Sequence, residues 1–155
     1  MSVIQMKFER LKDLRMENDY SQLEIANILQ IARQTYNHYE VGENIIPLKH
    51  VNMLSNLYHV SIDYILGLTN IRKYNNSIEK IELTKSGQRL KEWRKEEKLT
   101  QTTLANILNT FHTVVVDYEH SKNLIATPFL YTICKKYKIS ADYLLGKIEE
   151  PKYLK

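Results

Sequence analysis

The chain contains itself twice. A shift of 79 positions lays residues 8–67 on residues 87–146 without a gap. Arg10-Leu11-Lys12 falls on Arg89-Leu90-Lys91, and Ala26-Asn27-Ile28-Leu29 falls on Ala105-Asn106-Ile107-Leu108. Tyr39-Glu40 matches Tyr118-Glu119, and the stretches ending in Gly67 and Gly146 share the pattern Ser-x-Asp-Tyr-x-Leu-Gly. About a third of the aligned positions are identical. Two copies at so long a period mean a duplicated domain, because solenoids need three or more short units. A copy of this size is near the lower limit at which a domain folds without staples, so it must be compact and well patterned.

Staples are excluded within the chain. Cys134 is its one cysteine, which rules out an internal disulfide and a thiolate metal cluster; it is expected as a small core residue on a helix. No apolar run reaches the length of a membrane span, and the first 21 residues are too charged for a signal peptide. The expectation is a cytoplasmic protein, away from membranes. The net charge of +4 and pI near 9.0 suit a polyanionic partner. Residues 1–75 hold eight Lys/Arg against eight Asp/Glu, whereas 76–155 hold fourteen against ten. The excess positive charge therefore lies in the second half.

Within the first copy, Phe8, Leu11 and Leu14 recur at helical spacing among charged residues. Ser21-Gln22-Leu23-Glu24 reads as a capping box opening a second helix through Leu29. A turn at Gln30-Ile31 leads to a third helix over 32–40, stopped at Gly42. Pro47 suits the first turn of a fourth helix carrying Leu48, Val51, Leu54 and Leu57. Ser61 caps a short last helix. The second copy repeats this plan, with Thr100-Gln101 opening its second helix, a third over 111–119, and Thr127 as N-cap before Pro128. Val114-Val115-Val116 has poor helix propensity, so packing must hold that third helix. Residues 70–85 read as a linker and 149–155 as a frayed tail; Ile78, Ile81 and Leu83 could pack down locally. The boundaries expected are 1–69 for the first domain and 86–148 for the second.

Two short helices joined by a tight turn, the second with a polar face, form a helix-turn-helix, whose second helix enters the major groove of DNA. The Ser21-Gln22…Ala26…Leu29-Gln30-Ile31…Tyr39-Glu40-Val41-Gly42 pattern resembles the Cro/phage-repressor (Xre-type) family, and so does Thr100-Gln101…Ala105…Leu108-Asn109-Thr110…Tyr118-Glu119. The resemblance implies an all-α fold of two tandem five-helix lambda-repressor-like domains. It also assigns Gln22 and Gln101, beside the caps Ser21 and Thr100, to a phosphate strand. Arg15 with Glu40, and Arg94 with Glu119, match that family's internal salt bridge between first and third helices.

Tyr36 and Tyr39 are expected inward, leaving Arg33, Gln34, Thr35, Asn37 and His38 toward DNA. Arg pairs with guanine O6/N7, and Gln or Asn with adenine N6/N7. The second copy offers His112, Thr113, Val116 and Asp117 instead, a degenerate reading helix. Two departures concern the turn: the family often has Gly where this chain has Gln30 and Asn109, and Gln tolerates the left-handed region less well, so the first turn is expected to be altered.

The five histidines lack metal-ligand spacing, and neither a catalytic triad nor a phosphate loop is present. The expectation is a non-enzyme without cofactors: a double-stranded-DNA-binding transcriptional regulator, acting as a repressor. Repressors of the resembled family bind as dimers to half-sites about 34–36 Å apart. The stretch between the matched copies, residues 68–86, would if flexible have a reach of about 24 Å and let one chain supply both heads. The rival readings are a homodimer in which the second domain dimerises, and a protein-interaction module such as an antitoxin or anti-repressor that meets a protein antagonist.

Overall fold

The computed structural model describes residues 6–155, so residues 1–5 of the expected first domain lie outside the described residues. The chain divides between Tyr74 and Asn75 into two units. Among the described residues the regular structure is helical, with a single isolated antiparallel bridge between Ile139 and Tyr153. No helix among them is long and apolar enough to cross a membrane.

The first unit runs α1 (Glu9–Glu17), α2 (Gln22–Leu29), α3 (Arg33–Val41), α4 (Leu48–Tyr58) and α5 (Ile62–Ile65). Leu11 and Leu14 turn one face of α1 inward, and Ile25, Ala26, Tyr36, Val51, Leu54 and Ile62 complete the core. Ser21 and Glu24 form the reciprocal capping box. Gly42 ends α3 at φ +84°, a left-handed residue that satisfies the last turn. Pro47 stands one place earlier than expected: it is the N-cap of α4, extended at ψ 153°.

The second unit runs α6 (Leu83–Glu96), α7 (Gln101–Ile107), α8 (His112–Glu119), α9 (Thr127–Tyr137) and α10 (Ala141–Leu144). The valine run stays helical because Val115 is fully buried, packing that outweighs propensity. Ala126, not Thr127, caps α9, and Thr127 is itself buried in the first turn. Cys134 is buried on α9. A Cβ on Gly87 of α6 would come within 2.8 Å of the Tyr118 carbonyl oxygen. The corresponding position in the first unit is Phe8, and there the residue closest to Gly42 is Lys7.

The linker and the tail depart most from expectation. After α5 the chain turns back across the α4–α5 corner, where the Ser61 hydroxyl donates to the Ile71 carbonyl at 3.0 Å. Tyr74 is buried, and its hydroxyl donates to Asp63 Oδ2 at 2.8 Å. The expected tail does the same in the second unit: the Ser140 N–H donates to the Lys152 carbonyl at 2.8 Å, and the Leu154 N–H to Lys138 at 2.7 Å. An arginine of the first helix holds each strap. Arg10 donates to the Tyr64 carbonyl at 2.8 Å and Asn70 at 2.7 Å, and Arg89 to the Ile148 carbonyl at 2.6 Å and Glu149 at 2.8 Å. Each guanidinium also lies over a tyrosine ring, Tyr64 at 3.9 Å and Tyr143 at 4.1 Å.

The second unit also gathers the segment before α6. The Ile78 N–H donates to the Lys147 carbonyl and the Glu82 N–H to Leu145. Ile78 and Leu83 themselves remain exposed, so the backbone rather than the side chains anchors this piece. Burial pulls the Lys147 ammonium down from its ordinary value, against the opposing charges of Asp142 and Glu79. Tyr74 belongs to the first unit and Ile78 to the second, so most of the expected linker is folded onto one unit or the other.

The strap makes a contrast between matched tyrosines. Tyr74→Phe removes a donor to the fully buried Asp63 carboxylate and should destabilise the protein by about 1–3 kcal/mol. Tyr153→Phe, at a position 43% exposed, should change little. Denaturant midpoints of the two variants check this.

Candidate nucleic-acid interface

The turn between α2 and α3 fixes the site. Ala26 is fully buried where the helices cross, and the Ile31 N–H reaches back to its carbonyl at 2.9 Å. That bond requires a left-handed residue, and Gln30 supplies it at φ 59°. In the second unit Thr110 donates to Ala105 at 2.9 Å and Asn109 stands at φ 54°. The expected alteration of the first turn is absent: glutamine adopts the same left-handed conformation as asparagine, at a cost of about 1–2 kcal/mol.

On α3, Tyr36, Tyr39 and Glu40 are buried, Arg33 and Gln34 are exposed, and Thr35, Asn37 and His38 are half-buried. His38 is turned along its own helix end, with Nε2 3.2 Å from Glu43 and Nδ1 3.3 Å from the Asn44 amide. Asn37 is held from below. Gln22 Nε2 donates to Asn37 Oδ1 at 3.0 Å and to Glu40 Oε1 at 3.3 Å. The Asn37 amide N–H groups and Gln22 Oε1 thus stay available to a ligand, a donor beside an acceptor. The Ser21 hydroxyl accepts from the Glu24 N–H, which positions the start of α2.

Beneath this face lies an ion pair. Arg15 Nε donates to Glu40 Oε2 at 2.7 Å and its NH2 group to Oε1 at 3.1 Å, while NH1 donates to the Tyr20 carbonyl at 2.9 Å. Burial alone would raise the Glu40 carboxyl, but hydrogen bonds from Arg15 and Gln22 hold it below the usual carboxylate range. Burial, with the adjacent Glu40 charge, pushes the Tyr36 phenol up, so it stays neutral. A cavity of about 210 Å³ opens alongside, lined by Lys7, Glu9, Lys12, Arg15, Gln22, Asn37, Glu40 and Val41. Lys7 lies 3.6 Å from Glu9 at its rim, which leaves Lys12 as the lysine of the recess without an ion pair among the described residues. Neither lysine stands out in the sequence by pattern, although Lys12 lies 79 positions from Lys91.

The second unit keeps the frame and changes the face. Arg94 donates to Glu119 at 2.5 and 3.0 Å and to the Leu99 carbonyl at 2.8 Å. Gln101 donates to Glu119 at 3.1 Å, but its Oε1 lies 3.1 Å from His112 Nε2 rather than against the Asn37 counterpart, Val116. Thr100 caps α7 through the Thr103 N–H. His112 and Thr113 are exposed, and Asp117 lies 3.8 Å from Lys122.

Residues 11–65 match the model of the helix-turn-helix family, about a third of the chain. Among curated proteins, the chain is 45% identical over 58 residues to the SPbeta prophage-derived HTH-type transcriptional regulator YonR of Bacillus subtilis, covering 37% of this chain and 54% of that one. It is 36% identical over 69 residues to the HTH-type transcriptional regulator ImmR of the same organism, covering 44% and 54%. It is 38% identical over 53 residues to the cryptic phage CTXphi transcriptional repressor RstR of Vibrio cholerae, covering 34% and 48%. The chain spans about half the length of these relatives. No solved structure matches it.

The buried pair generates a pH-dependent expectation. Glu40 is depressed, so its stabilisation is present at neutral pH and lost as pH falls through the depressed value. Arg15→Met strands a carboxylate whose side chain is 3% exposed and should cost about 3–5 kcal/mol at neutral pH. Acidification then protonates the stranded group, so the variant's deficit should shrink toward about pH 4. Denaturant titrations of both proteins across that range measure the difference.

Proposed function

We propose that this chain binds duplex DNA sequence-specifically and regulates transcription, repressing by occluding a promoter. One observation carries the reading: α3 places exposed Arg33 and Gln34 and the braced Asn37 on the face opposite its locked tyrosines. Those are the groups that pair bidentately with guanine and adenine edges. The regulators and repressor that share this part of the chain support it.

In this reading α3 lies in the major groove and α2 crosses the backbone. Ser21 and Gln22, with Lys7 and Lys12 beside the recess, take phosphates; Thr35 and His38 flank the reading face. The second unit is a further helix-turn-helix domain, with Thr100 and Gln101 toward the backbone and His112 and Thr113 toward the bases. Because the faces differ, the operator is an imperfect palindrome with one stringent and one permissive half. DNA is the partner and no cofactor takes part.

Arg33→Ala should cost about 1–3 kcal/mol on the preferred site and relax discrimination at one position. Competition binding on single-base variants of that site tests this, and unchanged affinity and specificity would remove the assignment. Footprinting combined with light scattering of the complex tests the second unit. One chain protecting two half-sites is expected. Two chains on a symmetric site, with each second unit clear of the DNA, would instead assign the second unit to homodimerisation.

A further inference from the structure

The two units end their fourth helix differently. The end of α4 carries Asn56, Leu57 and His59, and at the matched places α9 carries Lys135, Lys136 and Lys138. Residues 87–146 hold nine Lys/Arg where residues 8–67 hold five, and three of the added cations stand on this one helix end. All three lysines are exposed, and among the described residues none of them makes an ion pair. Lysines near a helix C-terminus complement its dipole. Yet α4 closes on a left-handed cap at His59 without any, just as α9 closes at Lys138, so the fold does not require them.

The strap after α10 completes the patch. The Leu154 N–H donates to the Lys138 carbonyl at 2.7 Å and Ile139 bridges to Tyr153, which sets the exposed Tyr153 next to Lys138 along the paired backbone. Lys135 Nζ donates to the Tyr131 hydroxyl at 3.1 Å, and Lys136 Nζ lies 5.5 Å over the Tyr137 ring. Lys152 is different, because Glu96 takes its charge at 2.5 Å. The patch also stands apart from the outward residues of α8. Phe129, near the start of α9, meets the ring of Tyr118 at 6.4 Å, on the side where the Tyr118 hydroxyl accepts from the Ala126 N–H. The lysines stand roughly 9–13 Å further along the helix axis. There α9 closes against α10, whereas α8 packs on α6 and α7.

Three ammonium groups within four residues are point charges on flexible stems, without a fixed fork to grip one carboxylate. Such a field suits a partner whose charges repeat closely, and duplex DNA carries one per about 1.7 Å of axis. A tyrosine hydroxyl such as that of Tyr153 is also among the groups that contact phosphates. We infer that the end of α9, with Tyr153, is a second, sequence-indifferent site for duplex DNA, so that one chain holds two duplex segments at once. The first segment lies on the helix-turn-helix face; the inference rests on that reading, and the test separates the two.

The full chain is used to enrich duplexes from a random-sequence pool, and the enriched duplex is fixed to beads. Chain and a labelled duplex of unrelated sequence are then added, and retention of the label is followed as salt rises. The label should be held at low salt and released with a slope of about −2.7 in log affinity against log salt, the value for three phosphates. The triple variant Lys135→Asn, Lys136→Leu, Lys138→His installs the residues that the first unit carries at these places. It should keep the parent's thermal midpoint and bind the bead duplex as the parent does, while retaining less than about a tenth of the label. A parent that binds the bead duplex but holds no label at low salt overturns the inference and leaves the first site in place. So does a triple variant that retains the label as well as the parent. Retention of labelled polyglutamate but of no labelled duplex would also overturn it, in favour of an acidic protein partner. A parent that enriches no duplex removes the DNA-binding reading itself, and this inference with it.

Discussion

A guanidinium on the first helix and a carboxylate on the third, 25 residues apart, set the position of the face that each unit presents. Charges as buried as Arg94 and Glu119, at 9% and 0% side-chain exposure, are tolerable only when they are paired and further hydrogen-bonded. Here they are: each guanidinium makes two bonds to its carboxylate and a third to the carbonyl just before the second helix, at Tyr20 or Leu99. That third bond matters as much as the pair, since it ties the loop between the first and second helices to the same point. One side chain thereby fixes three helices, and the outward residues of α3 and α8 inherit their direction from it.

The two units show how one frame carries different contents. Where the first helix approaches the end of the third, one unit sets Lys7 against Gly42 and the other sets Gly87 against Ser121, so the glycine stands on opposite sides of the two contacts. The glutamine at the start of the second helix keeps its bond to the buried glutamate in both units, yet its remaining capacity goes to Asn37 in one and His112 in the other. The inward half of each constellation is a packing solution and is retained. The outward half is free to vary, because nothing in the fold depends on it.

This division also explains what could be read from the sequence. The capping box at Ser21 and Glu24, the inward tyrosines of α3 and the Arg–Glu register are local or periodic, so spacing alone exposes them. The straps are neither. Tyr74 reaches Asp63 and Arg89 reaches Glu149 across folded distance, through segments without apolar periodicity, and such segments read as linker and tail. Even so, Tyr74 and Tyr153 stand the same 79 positions apart as Gly67 and Gly146, a spacing visible in the sequence. The turn at Gln30 departs from its residue's propensity for a related reason. Propensity weighs the residue alone, whereas the bond from Ile31 to Ala26 and the buried crossing at Ala26 decide the conformation. The recess beside Asn37 could not be foreseen, because it exists only once α1, α2 and α3 are assembled.

Asn37 shows how the buried pair reaches the surface. Glu40 accepts from Gln22, and Gln22 with its other amide proton donates to Asn37, so a line of hydrogen bonds runs from Arg15 to the outer face of α3. A free asparagine at that place would lose rotamer freedom on meeting any ligand, and so would the glutamine, at roughly 0.5–1.5 kcal/mol each. Here folding has already ordered both, and their amides are turned so that an N–H donor and a carbonyl acceptor emerge side by side. In the second unit the line runs from Gln101 to His112 instead, since Val116 cannot accept a hydrogen bond. What holds that face in place is the same kind of clamp, since Glu119 of α8 accepts from both Arg94 and Gln101.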